Sequence, residues 1–407
     1  MPKTPGTPTT GRALPRGIAA VSALLLSATT AAVLLPSAAV AAERDTVTTH
    51  SGATTAQERA RIDAYWTPGR MKLAGAMVPE ITPVPEDDDT PDDPRPLPAD
   101  TPDPGSVWTH GGAVDRSVGR LFFTFSDGYD GSCTATVVTG ANRSTLVTAA
   151  HCLRGVGAPA TDDTWNHNLY FVPGYRNGTK PLGGFTIRSM ATSSRWDADP
   201  GGTRSDDVAV AGFDTGVLVA NRSADGRRVA DVTGSQRIAF APPAEGEFTH
   251  AFGYPKDRLN DPSGRYTGSR MIHCAGPARP GPKAPLLWGG PCDMSHGASG
   301  GPHFARFDPA TGTGTVVGVT TTTDELAGGP AGTLYATRLG DSAHRLHDWA
   351  QSRAVRPGRD HGAHRAYEVF ANRARSSARC SSADSCGRNP TRSGKRNSTR
   401  VSVAAYS

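Results

Sequence analysis

Aromatic side chains make up only 7% of the 407 residues and hydrophobic residues only 37%. That is material for one large or two small cores, with length to spare for ends that pack into neither. The chain has no His-Glu-x-x-His and no paired Cys-x-x-Cys, so it offers no catalytic-metal motif, and no cofactor is expected. Helical periodicity is scarce. Outside residues 17–42 no stretch is long and apolar enough to cross a bilayer. The formal net charge of +5 is displaced to the ends. Residues 353–407 carry twelve Arg/Lys against three Asp/Glu, while residues 79–105 hold nine acids and one arginine. The part between is nearly neutral, and nothing in its charge calls for nucleic acid.

Glycine (47) and proline (33) are plentiful and favour many turns. Residues 1–16 carry Lys3, Arg12 and Arg16; residues 17–42 have no charged side chain, are broken by Pro36 and end in Ala38-Ala39-Val40-Ala41-Ala42 before Glu43. This is the layout of a secretory signal peptide over 1–42, cut near Ala42, and it predicts a secreted, extracellular protein with no membrane attachment after cleavage. A retained anchor is the rival reading. Residues 43–105 read as a propeptide. Thr54–Leu73 is helix-compatible with a break at Tyr65-Trp66-Thr67-Pro68, and an acidic, proline-dense linker follows. A permanent flexible arm is the other possibility. The Arg/Ser-rich tail from 353 to 407 lacks periodicity and reads as a solvated extension or as a polymer-binding segment.

Between the ends, short β-branched and aromatic runs alternate with turn residues. They fall at Val118–Phe125, Thr134–Val138, Leu169–Val172, Phe185–Met190, Val208–Phe213, Gln236–Phe240, Phe248–Gly253, Thr315–Thr320 and Thr333–Thr337. One helix is expected, Asp341–Gln351, with Leu346 and Trp349 three apart and Asp341 as its cap. The pattern is all-β with a closing helix. Six cysteines, an even number behind a signal peptide, read as disulfides before metal ligands.

Three motifs carry chemistry. Residues 292–302 read Cys-Asp-Met-Ser-His-Gly-Ala-Ser-Gly-Gly-Pro, where glycines allow the main chain at Ser299 to approach a substrate carbonyl closely. Residues 146–152, Leu-Val-Thr-Ala-Ala-His-Cys, run an apolar strand into His151. Residues 205–210, Ser-Asp-Asp-Val-Ala-Val, put carboxylates at the head of another apolar run. The order His, Asp, Ser, with these settings, resembles the secreted serine endopeptidases of the trypsin/chymotrypsin family, most closely the bacterial branch that includes the glutamyl endopeptidases. The resemblance spans about residues 106–352.

That resemblance implies two packed antiparallel β-barrels with a cleft between them, and protein or peptide substrates for a monomeric enzyme. It assigns His151 as general base, Asp207 as the carboxylate that orients it, and Ser299 as nucleophile, with the Gly297 and Ser299 N–H groups as oxyanion hole. It pairs Cys133 with Cys152. Cys274 with Cys292 is expected as a second bridge, worth about 3 kcal/mol through loop closure, and Cys380 with Cys386 as a local one in the tail. Two departures stand out. Ala298 replaces the aspartate that receives a new N-terminus in animal trypsin-like enzymes, and Gly318-Val319 is followed by Thr320 where glutamyl endopeptidases carry a pocket histidine. Six positions before Ser299 stands Asp293, where the trypsin-like resemblance implies a carboxylate that would select Arg or Lys; a hydrogen bond to backbone beside Cys292 is the alternative reading. Preference for basic, small or acidic residues stays open. So do a catalytically inactive binding protein on the same fold and a surface-attached polymer binder acting through the basic tail.

Overall fold

The computed structural model describes residues 45–75, 101–154, 164–197, 208–256 and 266–353. The expected signal peptide, the acidic stretch of the expected linker, Asp207, and the tail with Cys380 and Cys386 lie outside them.

Among the described residues sixteen strands follow in chain order. They are Val47–Ser51 (β1), Asp103–Val107 (β2), Val118–Thr124 (β3), Asp130–Val137 (β4), Thr145–Thr148 (β5), His167–Pro173 (β6), Phe185–Ser193 (β7), Gly216–Ala220 (β8), Arg237–Ile238 (β9), Phe248–Gly253 (β10), Ile272–Pro277 (β11), Arg279–Pro280 (β12), Leu287–Pro291 (β13), Pro302–Asp308 (β14), Thr313–Thr323 (β15) and Thr333–Arg338 (β16). They form two sheets. In the first, β7-β6-β3-β4-β5-β8 closes on itself because β8 also pairs with β7, and β1 is added on the outside of β7. The second runs β12-β13-β16-β15-β14-β10-β11-β2, with β9 parallel to β15. It curves as a half-barrel, left open among the described residues. The chymotrypsin-like architecture expected from the sequence is thus present, with one barrel closed and one open.

β3 shows why the pattern of alternation is weak here. All seven of its residues are buried. Leu121 and Phe123 point into the closed barrel with Val137, Leu146, Phe171 and Leu218, whereas Val118 and Phe122 join a core shared with the half-barrel residues Phe252, Phe304 and Val316. A strand covered on both faces reads as continuous apolar sequence.

The helix Asp341–Gln351 has the expected bounds. Its N-cap is Gly340, and Asp341 sits in the first turn, where a carboxylate suits the helix dipole. The helix leaves the half-barrel and returns to the closed one: His347 Nε2 lies 2.7 Å from the Thr139 carbonyl oxygen, and the Asn142 amide donates to the Ala350 carbonyl at 2.8 Å. Val208–Phe213, expected as strand, instead begins with a one-turn helix, Val208–Ala211. Phe213 N donates back to Val210 O (2.8 Å) and Asp214 N to Ala211 O (3.2 Å), so the chain curls through Gly212 and becomes extended only at β8.

The expected propeptide is folded over its first part. The helices Ala56–Tyr65 (α1) and Pro68–Leu73 (α2) flank the predicted break, and Thr55 with Glu58 makes a reciprocal cap at the start of α1. β1, α1 and α2 lie on the closed barrel, with Trp66 and Met71 buried in the shared core. Three residues of the expected linker, Asp103 to Gly105, are already strand, the beginning of β2 on the edge of the half-barrel.

Candidate active site

Register brings the first pair of groups together. β5 and β8 are antiparallel with Thr148 opposite Gly216, so the residues just past the end of β5 face those just before β8. His151, in the short turn Ala150–Cys152 after β5, meets Asp214. The Asp214 side chain is 2% exposed. Its Oδ1 accepts the His151 backbone N–H at 2.9 Å and its Oδ2 lies 2.7 Å from His151 Nδ1. Oδ2 also accepts the hydroxyl of Thr321 on β15, so the half-barrel helps hold the acid of the closed barrel. A carboxylate only accepts, so Nδ1 carries the proton and Nε2 is left with a lone pair for the cleft. Burial of the ring lowers the His151 pKa, but the Asp214 charge and its hydrogen bond outweigh that, and the net direction is upward. Cys133 and Cys152 are bonded, tying β4 to the residue after His151.

Sequence reasoning placed this carboxylate on Asp207. That residue lies outside the described residues, and the carboxylate bonded to His151 belongs to Asp214. Val-Ala-Val-Ala after Asp207 imitates the apolar strand that should follow the acid, but the strand that pairs with β5 is the Val217-Leu218-Val219 run, which Asp214 precedes.

The loop carrying Ser299 is held at almost every carbonyl. His296 O accepts Lys256 N–H at 2.7 Å, Ala298 O accepts Gly301 N–H at 2.9 Å, and Ser299 O accepts Thr134 N–H at 2.8 Å. Gly297 O accepts the Thr134 hydroxyl at 2.9 Å, and that hydroxyl accepts Tyr254 N–H at 3.0 Å. C=O and N–H point in opposite directions across a trans peptide. Pinning His296 O and Ala298 O therefore turns the N–H groups of Gly297 and Ser299 to the opposite side. Gly297 has φ +91° and Gly300 φ +76°, and a Cβ on Gly300 would lie 2.1 Å from Thr148 Oγ1 and 2.5 Å from Thr134 O. The loop is thereby pressed onto the end of β5, three residues before His151. No hydrogen bond joins Ser299 to His151 among the described residues. Free enzymes often leave that bond loose until substrate is present.

No model of a known protein family matches the chain, and neither does any curated protein. Among solved structures, it is similar to the protease Anisep from Arthrobacter nicotinovorans: 29% identity over 58% of this chain and 96% of that one, TM-score 0.48. A thermostable serine protease, AL20, from an extremophilic microorganism is 26% identical over 59% of this chain and 100% of its own, TM-score 0.48. A Glu endopeptidase solved in complex with MPD is 15% identical over 62% of this chain and 99% of its own, TM-score 0.44. These neighbours are bacterial chymotrypsin-like serine proteases.

The two residues expected at a specificity pocket are both engaged. Asp293 Oδ1 accepts the Tyr266 hydroxyl at 2.9 Å, its N–H donates to Pro104 O at 2.7 Å, and Gly105 of β2 packs so closely that a Cβ there would lie 2.0 Å from the carboxylate. Thr320 is buried, its hydroxyl 3.2 Å from Nε2 of His303. Burial pushes the His303 pKa down to about 4, so that ring is neutral near pH 7. Cys274 and Cys292 are bonded as expected and anchor the start of the Ser299 loop. The one grouping with metal-ligand spacing among the described residues, Cys133, His151 and Cys152, has both sulfurs in a disulfide and offers no thiolate. Thr134 and Thr321 were not singled out from sequence. Single threonines inside strands have no local signal, because their partners are more than a hundred residues away.

Proposed function

We propose that the chain is a secreted serine endopeptidase that works through Ser299, His151 and Asp214. The observation that supports this most directly is the buried Asp214 carboxylate, held by Thr321 and bonded to His151 Nδ1. In this reading His151 Nε2 takes the Ser299 proton as Oγ attacks a peptide carbonyl. The oxyanion is received by the N–H groups of Gly297 and Ser299, and the same proton goes to the leaving amine. Water then attacks the acyl-enzyme with His151 again as base. Asp214 keeps the ring in the required tautomer and stabilises the imidazolium without taking its proton. Because Ala298 cannot form an ion pair with a new N-terminus, activation in this reading does not depend on that switch.

The test is labelling of the secreted protein with a fluorophosphonate, followed by peptide mapping. Ser299 should be the labelled residue, and Ser299→Ala and His151→Ala should each lower kcat on peptide substrates by about 10⁴ to 10⁶ while thermal melting stays near wild type. A folded wild-type protein whose Ser299 does not react, or an unlabelled Ser299→Ala variant that still hydrolyses peptides at the wild-type rate, sinks the assignment.

A further inference from the structure

The body supplies residues 45–75 with partners from its interior. β1 pairs along its full length with β7, the Asn221 side chain donates to Ala53 O at 2.8 Å, and Trp66 Nε1 donates to Asn168 O at 2.6 Å. The central partner is Arg120, in the middle of β3 and 0% exposed. Its Nη2 donates to Ala74 O (3.0 Å) and Ser132 Oγ (2.8 Å), and its Nη1 to Gly268 O (3.0 Å) and Met71 O (3.4 Å). A buried guanidinium is costly unless its donors are taken up; Nε has no partner among the described residues, the two Nη groups are satisfied, and two of their four acceptors lie at the end of α2.

The same guanidinium leads to the Ser299 loop. Gly268, bonded to Arg120 through its carbonyl, donates its N–H to Pro255 O at 2.7 Å, and the next residue, Lys256, donates its N–H to His296 O at 2.7 Å. The Lys256 side chain runs back the other way: a Cβ on Gly297 would lie 3.1 Å from its Cγ, and one on Gly75 would lie 2.9 Å from its Nζ. The end of the N-terminal segment thus borders the residue that pins the carbonyl ahead of Gly297.

We propose that residues 45–75 are a permanent positioning element of the catalytic body: seated through Arg120, they brace the Pro255–Lys256 turn and, through it, the peptide that orients the Gly297 N–H. The proposal rests on the peptidase reading for its catalytic consequence and on packing alone for the retention of the segment. It replaces removal of all of 43–105 with retention of 45–75, whether or not the chain is cut before β2.

The experiment inserts a site-specific protease sequence between Gly75 and Asp103 of the full chain, cuts once, and follows the product by native size exclusion with intact-mass detection. The 45–75 piece is expected to co-elute with the body, with kcat within about twofold of the uncut protein. In uncut protein, Lys256→Pro, which removes the N–H that His296 O accepts, should lower kcat about tenfold or more with KM within about twofold, the mark of an oxyanion donor turned out of line. Arg120→Met should do the same and also lower the melting temperature. Release of the piece from a body that stays folded and keeps its kcat overturns the proposal. So does an unchanged kcat in Lys256→Pro. Co-elution in a protein whose Ser299 does not react with phosphonate would uphold the retained segment and remove the peptidase reading instead.

Discussion

Changing Asp214 to Asn keeps the outline of the side chain but replaces a carboxylate oxygen by an amide able to donate toward His151 Nδ1, which inverts the ring's tautomer. The expected cost is about 10⁴ in kcat, whereas Asp207→Asn should stay within about twofold of wild type. The pH dependence adds a second check. Asp214 raises the His151 pKa against the opposing effect of burial, so the acid limb of kcat/KM should have its midpoint above the free value of about 6.5 in the wild type and move to lower pH in Asp214→Asn. A loss with Asp207→Asn and none with Asp214→Asn would reverse the assignment. His151 and the Ser299 loop were legible because their neighbours in sequence are also their neighbours in space. The carboxylate that bonds His151 was not, because it depends on which of two apolar runs pairs with β5, a long-range fact that a local Asp-Val-Ala-Val pattern imitates.

At the scale of elements, the sequence marked α1 and α2 as helical and the break between them, but nothing local said that they would be built in. Trp66 shows the difference. In the sequence it is an aromatic residue at a helix break; in the structure it is 1% exposed, tilted on Phe122 with ring centroids 5.3 Å apart. Burying a tryptophan and satisfying its N–H against the barrel makes the segment part of the core. Trp66→Ala should therefore lower the stability of the whole body by about 3–5 kcal/mol, read by chemical denaturation of the full chain. A detachable arm would give a change below about 0.5 kcal/mol. The half-barrel was harder to foresee for a related reason. Strands such as β13, Leu-Trp-Gly-Gly-Pro, carry no alternation, and take their conformation from pairing with β16.

For the whole molecule, three of the histidines buried among the described residues make stability depend on acid. His250 and His273 meet at 2.9 Å between ring nitrogens, with His273 Nδ1 3.4 Å from Asp103 Oδ2, and His303 lies on β14. Burial lowers all three pKa values, to about 3 for His250 and about 4 for His303. The unfolded chain binds these protons near pH 6.5 and the folded one does not. Between those values the unfolded state holds more protons, so the stability these three rings contribute is fully present above about pH 6.5 and is lost as the pH falls below it. Melting temperatures should fall steadily between pH 6 and 4, with a shallower fall in His303→Gln. A melting temperature unchanged down to pH 4.5 would show that these rings protonate without cost.

Asp45, just ahead of β1, accepts hydrogen bonds from Ser193 on β7 and from Arg345 in the C-terminal helix. The first and last elements of the body are therefore fastened to each other across 300 positions of sequence. Topologically the body is a ring with its clasp at Asp45, and a ring has no privileged starting point. A circular permutant that joins residue 353 to residue 45 by a short linker and opens the chain at an exposed hairpin such as Asp127-Gly128 has every pairing of the native sheets available to it.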